Sequence, residues 1–335
     1  MPPDLQPLFE KKLSVSQLIK PGEKVFVGCS GGPDSVALFH LLRTLPPAWK
    51  IKIGLFHFHH GLRGRSADQD AVFVKKLGKT FKVPVVVGKG KVREAARREG
   101  HSLEEAARKA RYAFFAKESS RRKITKVALA HTLDDQAETV LMRMIQGTGL
   151  QGLRGIRERL KQGKLVFVRP VLGFTKSQIL EYLQAHKFFF RKDESNDSEA
   201  FLRNRIRRKL FPVLESHFNP KVKEALARIP AIVSEEAEAL LRWETEAYAS
   251  VCKGTSKKRR LLDRRLFEAL PAALQFRVLR KALEQLDPRS GLSYDAWSRL
   301  QPDLYKKRGC HSLKRDLDLA LTPENIIIYK KNSRR

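Results

Sequence analysis

Cysteine, methionine and tryptophan each occur only three times in 335 residues, and 36 acidic side chains face 67 lysines and arginines. The cysteines, Cys29, Cys252 and Cys310, stand far apart, with no pair at metal-ligand spacing. That excludes a zinc knuckle and a disulfide-stapled scaffold. Long apolar runs are missing too: nothing approaches the ~20 residues that cross a bilayer, and the N-terminus lacks the apolar core of a signal peptide. These absences read as a soluble, cytoplasmic protein. The shortage of acids leaves a formal net charge of +31. Such a surplus opposes compaction unless a polyanion offsets it, so nucleic acid is the expected partner; a generally cationic surface is the plainer account. What the chain does have is 42% hydrophobic residues, enough for ordinary cores, and a length that suits two domains.

Between Lys24 and Val168, β-rich runs alternate with helical periodicity. Strands are predicted at Val25–Cys29, Ile51–Phe58, Val83–Val87, Val127–Ala130 and Leu165–Val168, and helices at Ser35–Leu45, Ala67–Phe81, Leu103–Ser119 and Asp134–Ile145. This repeat predicts an α/β fold with a doubly wound parallel sheet, whose ligands bind where strand ends run into helices. Beyond Arg169 the pattern changes. A helix is expected over Thr175–Lys187 with Thr175 as its cap, then a polar loop Asp193–Glu199, a basic segment Arg203–Lys209, a helical connector Lys221–Ser250 and a smaller mixed domain near Leu261–Lys331 with a strand at Ile326–Tyr329. The predicted division is a catalytic domain over 1–215 and a connector with a smaller C-terminal α+β domain over 216–335.

The sharpest local signal is the strand running into Ser30-Gly31-Gly32-Pro33-Asp34-Ser35. Two glycines let several N–H groups face one anion, the following helix adds its positive end, and the serines can donate to phosphate. Asp34 would repel a bare phosphate, so its carboxylate suits Mg²⁺ held between itself and the anion. A tight strand-to-helix turn capped by Asp34 would explain the glycines alone; the serines and the preceding strand favour the phosphate site. The Walker lysine is absent, which disfavours ordinary γ-phosphoryl transfer. Ser-Gly-Gly-Xaa-Asp-Ser after a first strand resembles the PP-loop ATP pyrophosphatase superfamily, and that resemblance implies cleavage of ATP between its α and β phosphates. A second glycine pattern, Gly147-Thr-Gly-Leu-Gln-Gly152, fits the dinucleotide fingerprint but follows a helix, so a flexible turn near the active face is expected.

Three further clusters carry polar chemistry. His57, His59 and His60 precede Arg63, Ser66 and Asp70; no carboxylate stands at ligand spacing, so loop positioning is favoured over metal. Arg108 and Arg111 share a helical face; Glu104 stands four residues before Arg108, so an intrahelical ion pair is the bland reading there, and Arg111 is the better candidate for polyphosphate. His131, Asp134, Asp135 and Glu138 open another helix. Macrodipole compensation explains one acid in a first turn better than three, and Asp135 and Glu138, three apart, could orient an ammonium nucleophile and accept its proton.

Taken in order, the phosphate loop, His59-His-Gly-Leu-Arg63, Ser102-Leu-Glu-Glu-Ala-Ala-Arg-Lys-Ala-Arg-Tyr112, Ala130-His-Thr-Leu-Asp-Asp-Gln-Ala-Glu-Thr139, Arg169-Pro-Val-Leu172, Asp193-Glu-Ser-Asn196 and Arg203-Asn-Arg-Ile-Arg207 resemble the tRNA(Ile)-lysidine synthetase family, closely over about residues 24–215 and more loosely from Pro271. The resemblance implies that ATP adenylates O2 of the wobble cytidine of a CAU-anticodon tRNA(Ile), and that the ε-amine of free L-lysine then displaces AMP at C2. It implies ATP and Mg²⁺ as cofactors, held by Ser30, Gly31, Gly32, Pro33, Asp34 and Ser35, with Asp34 on the metal. Asp135 and Glu138 would engage lysine or the base, Arg111 and Arg207 would touch phosphates or the activated intermediate, and His131 would shape the same site. Arg203, Arg205, Arg207, Arg208, Lys209, Lys257–Arg260 and Lys306–Arg308 are candidates for the tRNA backbone. A homodimer is compatible with this reading. Thr132 departs from the family's frequent second histidine, which puts any proton-transfer role at that position in doubt, and Pro33 fills the loop's variable slot.

Two rivals share the ATP domain. A tRNA thiolase would want paired cysteines or an iron–sulfur cluster, which three isolated cysteines do not supply. A small-molecule amidating ligase would not need the positive charge. A non-catalytic RNA-binding protein, the rival from another class, is opposed by retention of Asp34, Asp135 and Glu138.

Overall fold

The computed structural model describes residues 4–61, 65–191, 202–288, 290–306, 308–313 and 316–331. Arg63 and the loop 193–199 lie outside the described residues, as does the side chain of Ser66. Internal contacts divide the chain into Met1–Val233 and Ser234–Arg335.

The first unit runs α1 (Leu5–Ser16), β1 (Lys24–Gly28), α2 (Pro33–Arg43), β2 (Lys52–His59), α3 (Arg65–Thr80), β3 (Val85–Lys89), α4 (Val92–Glu99), α5 (Leu103–Arg121), β4 (Lys126–Ala128) and α6 (Leu133–Ile145). It continues through α7 (Leu150–Leu153), β5 (Arg159–Gln162), β6 (Leu165–Val168), α8 (Lys176–Ala185), α9 (Leu202–Arg205), a π-helical turn Ile206–Leu210 and α10 (Phe211–His217) to α11 (Val222–Val251). The sheet order is β3-β2-β1-β4-β6-β5, parallel except for the edge strand β5. Alternation along the strands explains the two cores. Val25 and Val27 look toward Phe9, Phe39 and Leu183, whereas Phe26, Val127 and Phe167 pack with Tyr112 and Phe115 on the other face. Each such side chain, fully buried, contributes roughly 1.5–3 kcal/mol.

The topology places the site. Chain order runs outward from β1 to β2 and β3 on one side, then restarts with β4 on the other. The switch point therefore lies between β1 and β4, where ligands of open α/β sheets bind. Val27 is paired with Ala128, so the loop leaving β1 and the loop leaving β4 emerge side by side. Each loop enters a helix within a few residues.

The second unit has β7 (Cys252–Thr255), β8 (Arg259–Asp263), α12 (Arg264–Glu268), α13 (Ala272–Leu286), α14 (Tyr294–Leu300), β9 (Gly309–Ser312), β10 (Leu317–Leu321) and β11 (Asn325–Lys330). Its antiparallel sheet, ordered β7-β8-β11-β10-β9, buries Leu262, Leu319, Ile326 and Ile328 against Val278, Leu279 and Trp297. The sequence predicted one strand here; the sheet has five. Among the described residues no helix is long and apolar enough to cross a membrane.

Candidate active site

The phosphate loop is shaped by its own hydroxyls. Gly31 takes φ +95°, a conformation that only glycine adopts without strain. Ser35 Oγ donates to the Gly32 carbonyl at 3.0 Å and accepts from the Ser30 N–H at 3.2 Å, while Ser30 Oγ accepts from Gly32 N–H at 3.3 Å. Pro33 opens α2 in its first turn, and Asp34 follows; proline costs nothing there because its missing N–H would be unpaired anyway. Arg191 braces the loop from outside. Its N–H donates to the Gly31 carbonyl at 2.9 Å, and its guanidinium holds Asp70 at 2.6 Å and Gln69 at 2.9 Å.

The neighbouring loop is fixed by a capping box. Thr132 caps α6 by accepting from Asp135 N–H at 3.3 Å, and Asp135 Oδ2 accepts in return from Thr132 N–H at 2.9 Å. A threonine thus supplies the cap. Asp135 Oδ1 is left to face cations: Lys176 Nζ at 3.4 Å and Arg207 Nη2 at 3.7 Å. One turn on, Glu138 is 2% exposed. Arg207 grips it with two bonds, at 2.6 and 2.8 Å, and Arg203 Nε lies 3.3 Å from it and Lys176 Nζ 3.7 Å. Two-point arginine–carboxylate pairing of this kind fixes orientation as well as charge. Asp134 accepts from the Lys176 N–H at 2.8 Å and faces Lys223 at 3.6 Å.

The electrostatics tie the two loops together. Burial pushes the Asp34 carboxyl up to about 6, Lys176 pulls it down, and Asp135 and Asp134 push it up further. For Asp135, burial alone would raise the carboxyl, but Lys176, His131 and the Thr132 N–H outweigh it and bring it to about 2. His131 is driven down to about 3, by burial first and also by Arg169 and Arg111; it is a neutral ring. Arg169, 2% exposed, donates to His131 Nδ1 at 3.3 Å and to the Tyr112 hydroxyl at 3.1 Å. Arg108 stacks 4.9 Å from the Tyr112 ring centroid, so that two guanidiniums bracket one tyrosine. Arg111 is half-buried, and its Nε has no hydrogen-bond partner.

The structure therefore gathers Asp34, Asp135, Glu138 and Arg207 in one electrostatic field beside Ser30–Ser35, with His131 linked to it through Asp135 and Arg169. Several details differ from expectation. Glu104 pairs with Arg203 at 3.4 Å rather than with Arg108. Arg203, a candidate for the tRNA backbone, lies 3.3 Å from Glu138 and donates to Thr139 at 2.7 Å. The Gly147–Gly152 stretch is irregular over Gly147–Gly149 and then enters the short helix α7, and Arg143 donates to the carbonyls of Gly152 and Gly155. His57 bonds the Cys29 carbonyl at 2.9 Å and His59 accepts from the Gly61 N–H at 3.1 Å, so both serve loop geometry. Lys176, Arg169 and Arg191 were missed as site residues. Only the basic character of Lys176 at the head of a capped helix hinted at a role.

The comparisons decide the family. A profile of the PP-loop domain family matches residues 5–214. A tRNA(Ile)-lysidine synthase of Clostridioides difficile is 34% identical over 330 residues, covering 97% of this chain and 69% of that protein. This chain belongs to the tRNA(Ile)-lysidine synthase family of PP-loop proteins. Family members from Symbiobacterium thermophilum and Geobacter sulfurreducens are 37% and 38% identical, over 83% and 79% of this chain. The chain spans 58% and 56% of those two proteins' lengths. Among solved structures, the U34-tRNA thiolase NcsA from Methanococcus maripaludis, with its [4Fe-4S] cluster, aligns with a TM-score of 0.56 at 20% identity, over 68% of this chain and 79% of the thiolase. That likeness speaks for the fold alone.

Proposed function

We propose that this chain ligates free L-lysine to C2 of the wobble cytidine of a CAU-anticodon tRNA(Ile), consuming ATP and releasing AMP and pyrophosphate. The observation that carries the reading is the pair Asp135 and Glu138, set beside a phosphate loop at the β1/β4 switch point. In the first step the cytidine O2 attacks the α-phosphorus of ATP and pyrophosphate leaves. Backbone N–H groups of the Ser30–Ser35 loop and the N-terminal end of α2 suit the negative charge that develops. In the second step the lysine ε-amine forms a bond to C2, and AMP departs with the O2 oxygen. That amine is an ammonium near neutrality, so a carboxylate must orient it and pass its proton on to solvent before it attacks. Asp135 Oδ1, held only by the longer contacts to Lys176 and Arg207, suits this relay, whereas Glu138 is occupied by Arg207.

Mg²⁺ fits the donor set. Asp34 is a half-buried carboxyl with Asp134 and Asp135 nearby, which a divalent cation would hold ionised. No group of three His, Cys, Asp or Glu among the described residues converges to cage a metal, so phosphate oxygens and water would complete the shell, as Mg²⁺ prefers. Bound there, Mg²⁺ would supply charge neutralisation at the polyphosphate. Anticodon chemistry requires a splayed-out base, and the surplus of lysine and arginine suits the tRNA backbone. The thiolase reading is disfavoured by Cys29, which is buried with its thiol pushed up to about 11, chiefly by desolvation. A homodimer in the cytoplasm belongs to the same proposal, with sedimentation velocity as its check.

The deciding assay incubates the chain with the tRNA transcript, ATP and radiolabelled lysine. Incorporation should require all three, and Asp34→Ala should lower it by about a thousandfold, ~4 kcal/mol of transition-state stabilisation. Lysine-independent sulfur transfer, or tRNA-independent release of pyrophosphate, would defeat the proposal.

A further inference from the structure

The acids assigned to the incoming amine already hold one. Lys176 Nζ stands 3.4 Å from Asp135 Oδ1 and 3.7 Å from Glu138 Oε1. Asp135 Oδ2 is spent on the Thr132 cap, and both Glu138 oxygens are taken by Arg207. A ligand ammonium reaching Asp135 Oδ1 must therefore enter the space that Lys176 fills. We propose that Lys176 is a resident stand-in for the substrate amine, occupying its seat in the free protein and vacating it when nucleotide arrives. The inference rests on the lysine-ligase reading and adds a specificity-setting residue to it.

Three features make Lys176, rather than Arg207, the movable cation. Its contacts are long and single-pointed, whereas Arg207 makes two bonds under 3 Å. Its ammonium rides on a flexible four-carbon stem, without the rigid fork of arginine. It is also the first residue of α8, capped by Thr175, where the positive end of the helix disfavours a cation. The destination is at hand: Lys176 is the strongest opposing charge felt by Asp34 in the phosphate loop. A triphosphate held there offers more negative charge than the shared seat between Asp135 and Glu138. Its backbone N–H stays fixed to Asp134 at 2.8 Å, so only the side chain has to swing. Exchange of this kind orders the reactants. Nucleotide draws Lys176 off, and free lysine then fills the vacated seat, which suppresses lysine capture by protein without ATP.

Equilibrium dialysis of radiolabelled lysine against the full chain, with and without α,β-methylene-ATP, tests this beside the incorporation assay. In the unaltered chain the nucleotide analogue should tighten lysine binding. Lys176→Met should bind lysine more tightly without nucleotide, roughly three- to tenfold, because a competitor for the seat is gone, and the analogue should then add little. Under saturating ATP the KM for lysine should stay close to that of the unaltered chain, because nucleotide already empties the seat there, and kcat should not rise. Lys176→Gln is read in the same way should the methionine variant fail to fold, and Lys176→Arg, which keeps the charge but brings the rigid fork, should weaken the nucleotide effect. Lysine affinity that is unchanged or weaker in Lys176→Met would overturn the inference while leaving the ligase reading intact. Failure of the unaltered chain to incorporate lysine at all would overturn that reading itself, and the inference with it.

Discussion

The two units bury charge in opposite ways. In Ser234–Arg335, Arg264 is 6% exposed and satisfied: it pairs with Glu268 at 2.6 Å and donates to the carbonyls of Thr322 and Leu304 at 3.0 and 2.9 Å. Glu244, also buried, has Arg277 and Arg280 at 3.2 and 3.7 Å. In Met1–Val233 the accounts do not balance residue by residue. Arg203, Arg207 and Lys176 share Asp135 and Glu138, Arg111 keeps an unpartnered Nε, and Asp34 is crowded by like charge. Satisfied buried charge specifies structure. Shared and underused charge leaves binding energy available to a ligand.

That contrast can be broken by substitution. Arg264→Ala should destabilise the second unit by about 3 kcal/mol, since it strips the Thr322 and Leu304 carbonyls of their buried donor; urea unfolding followed through tryptophan fluorescence would show it. A loss under 1 kcal/mol would mean the saturated pairing is ornamental. Arg207→Gln should act the other way round. Lysine incorporation should drop about a hundredfold, ~2.7 kcal/mol, with a melting temperature only a few degrees lower, because Arg203 and Lys176 still face Glu138. Equal losses of activity and stability would erase the distinction between the units.

A smaller effect sharpens it. His40 is 1% exposed, stacked 3.5 Å from Phe188, and pushed down to about 4 by burial, then by Arg43 and His186. Its ordinary value is about 6.5, so below that the unfolded chain takes a proton that the folded chain refuses. Stability is therefore lost as pH falls from about 6.5 toward 4. Between pH 7 and pH 5 the loss should be about 2 kcal/mol. His40→Phe, which keeps a stacking ring, should remove that part of the urea midpoint's pH dependence.

Much of the fold was legible because the parallel strands are short apolar runs bounded by turns. β5 was not, since Arg-Leu-Lys-Gln at an exposed edge carries neither alternation nor apolar weight. α1 was overlooked although Leu5, Phe9 and Leu13 repeat every four residues behind an Asp4 cap; read as alternation, they look like nothing. In the second unit, Leu317-Asp-Leu-Ala-Leu321 shows the strand period plainly and could have been found. The site divides along similar lines. Loops that carry their own geometry, Ser30–Ser35 and Thr132–Glu138, announce themselves. Residues that acquire a role from partners far along the chain do not: Lys176 meets Asp135 across 41 positions and Arg191 meets Asp70 across 121. Spacing within a motif cannot encode such meetings; the sheet order creates them.

The cap at the head of α6 has a consequence for chemistry. Because Thr132 ties up one oxygen of Asp135, this acid presents a single, directional acceptor whose bearing is locked to the helix axis. An amine bound there would approach along one line, and small errors in its placement could not be absorbed by rotating the carboxyl group. The angle of attack on the reacting carbon would then be inherited from a feature whose first duty is to start a helix.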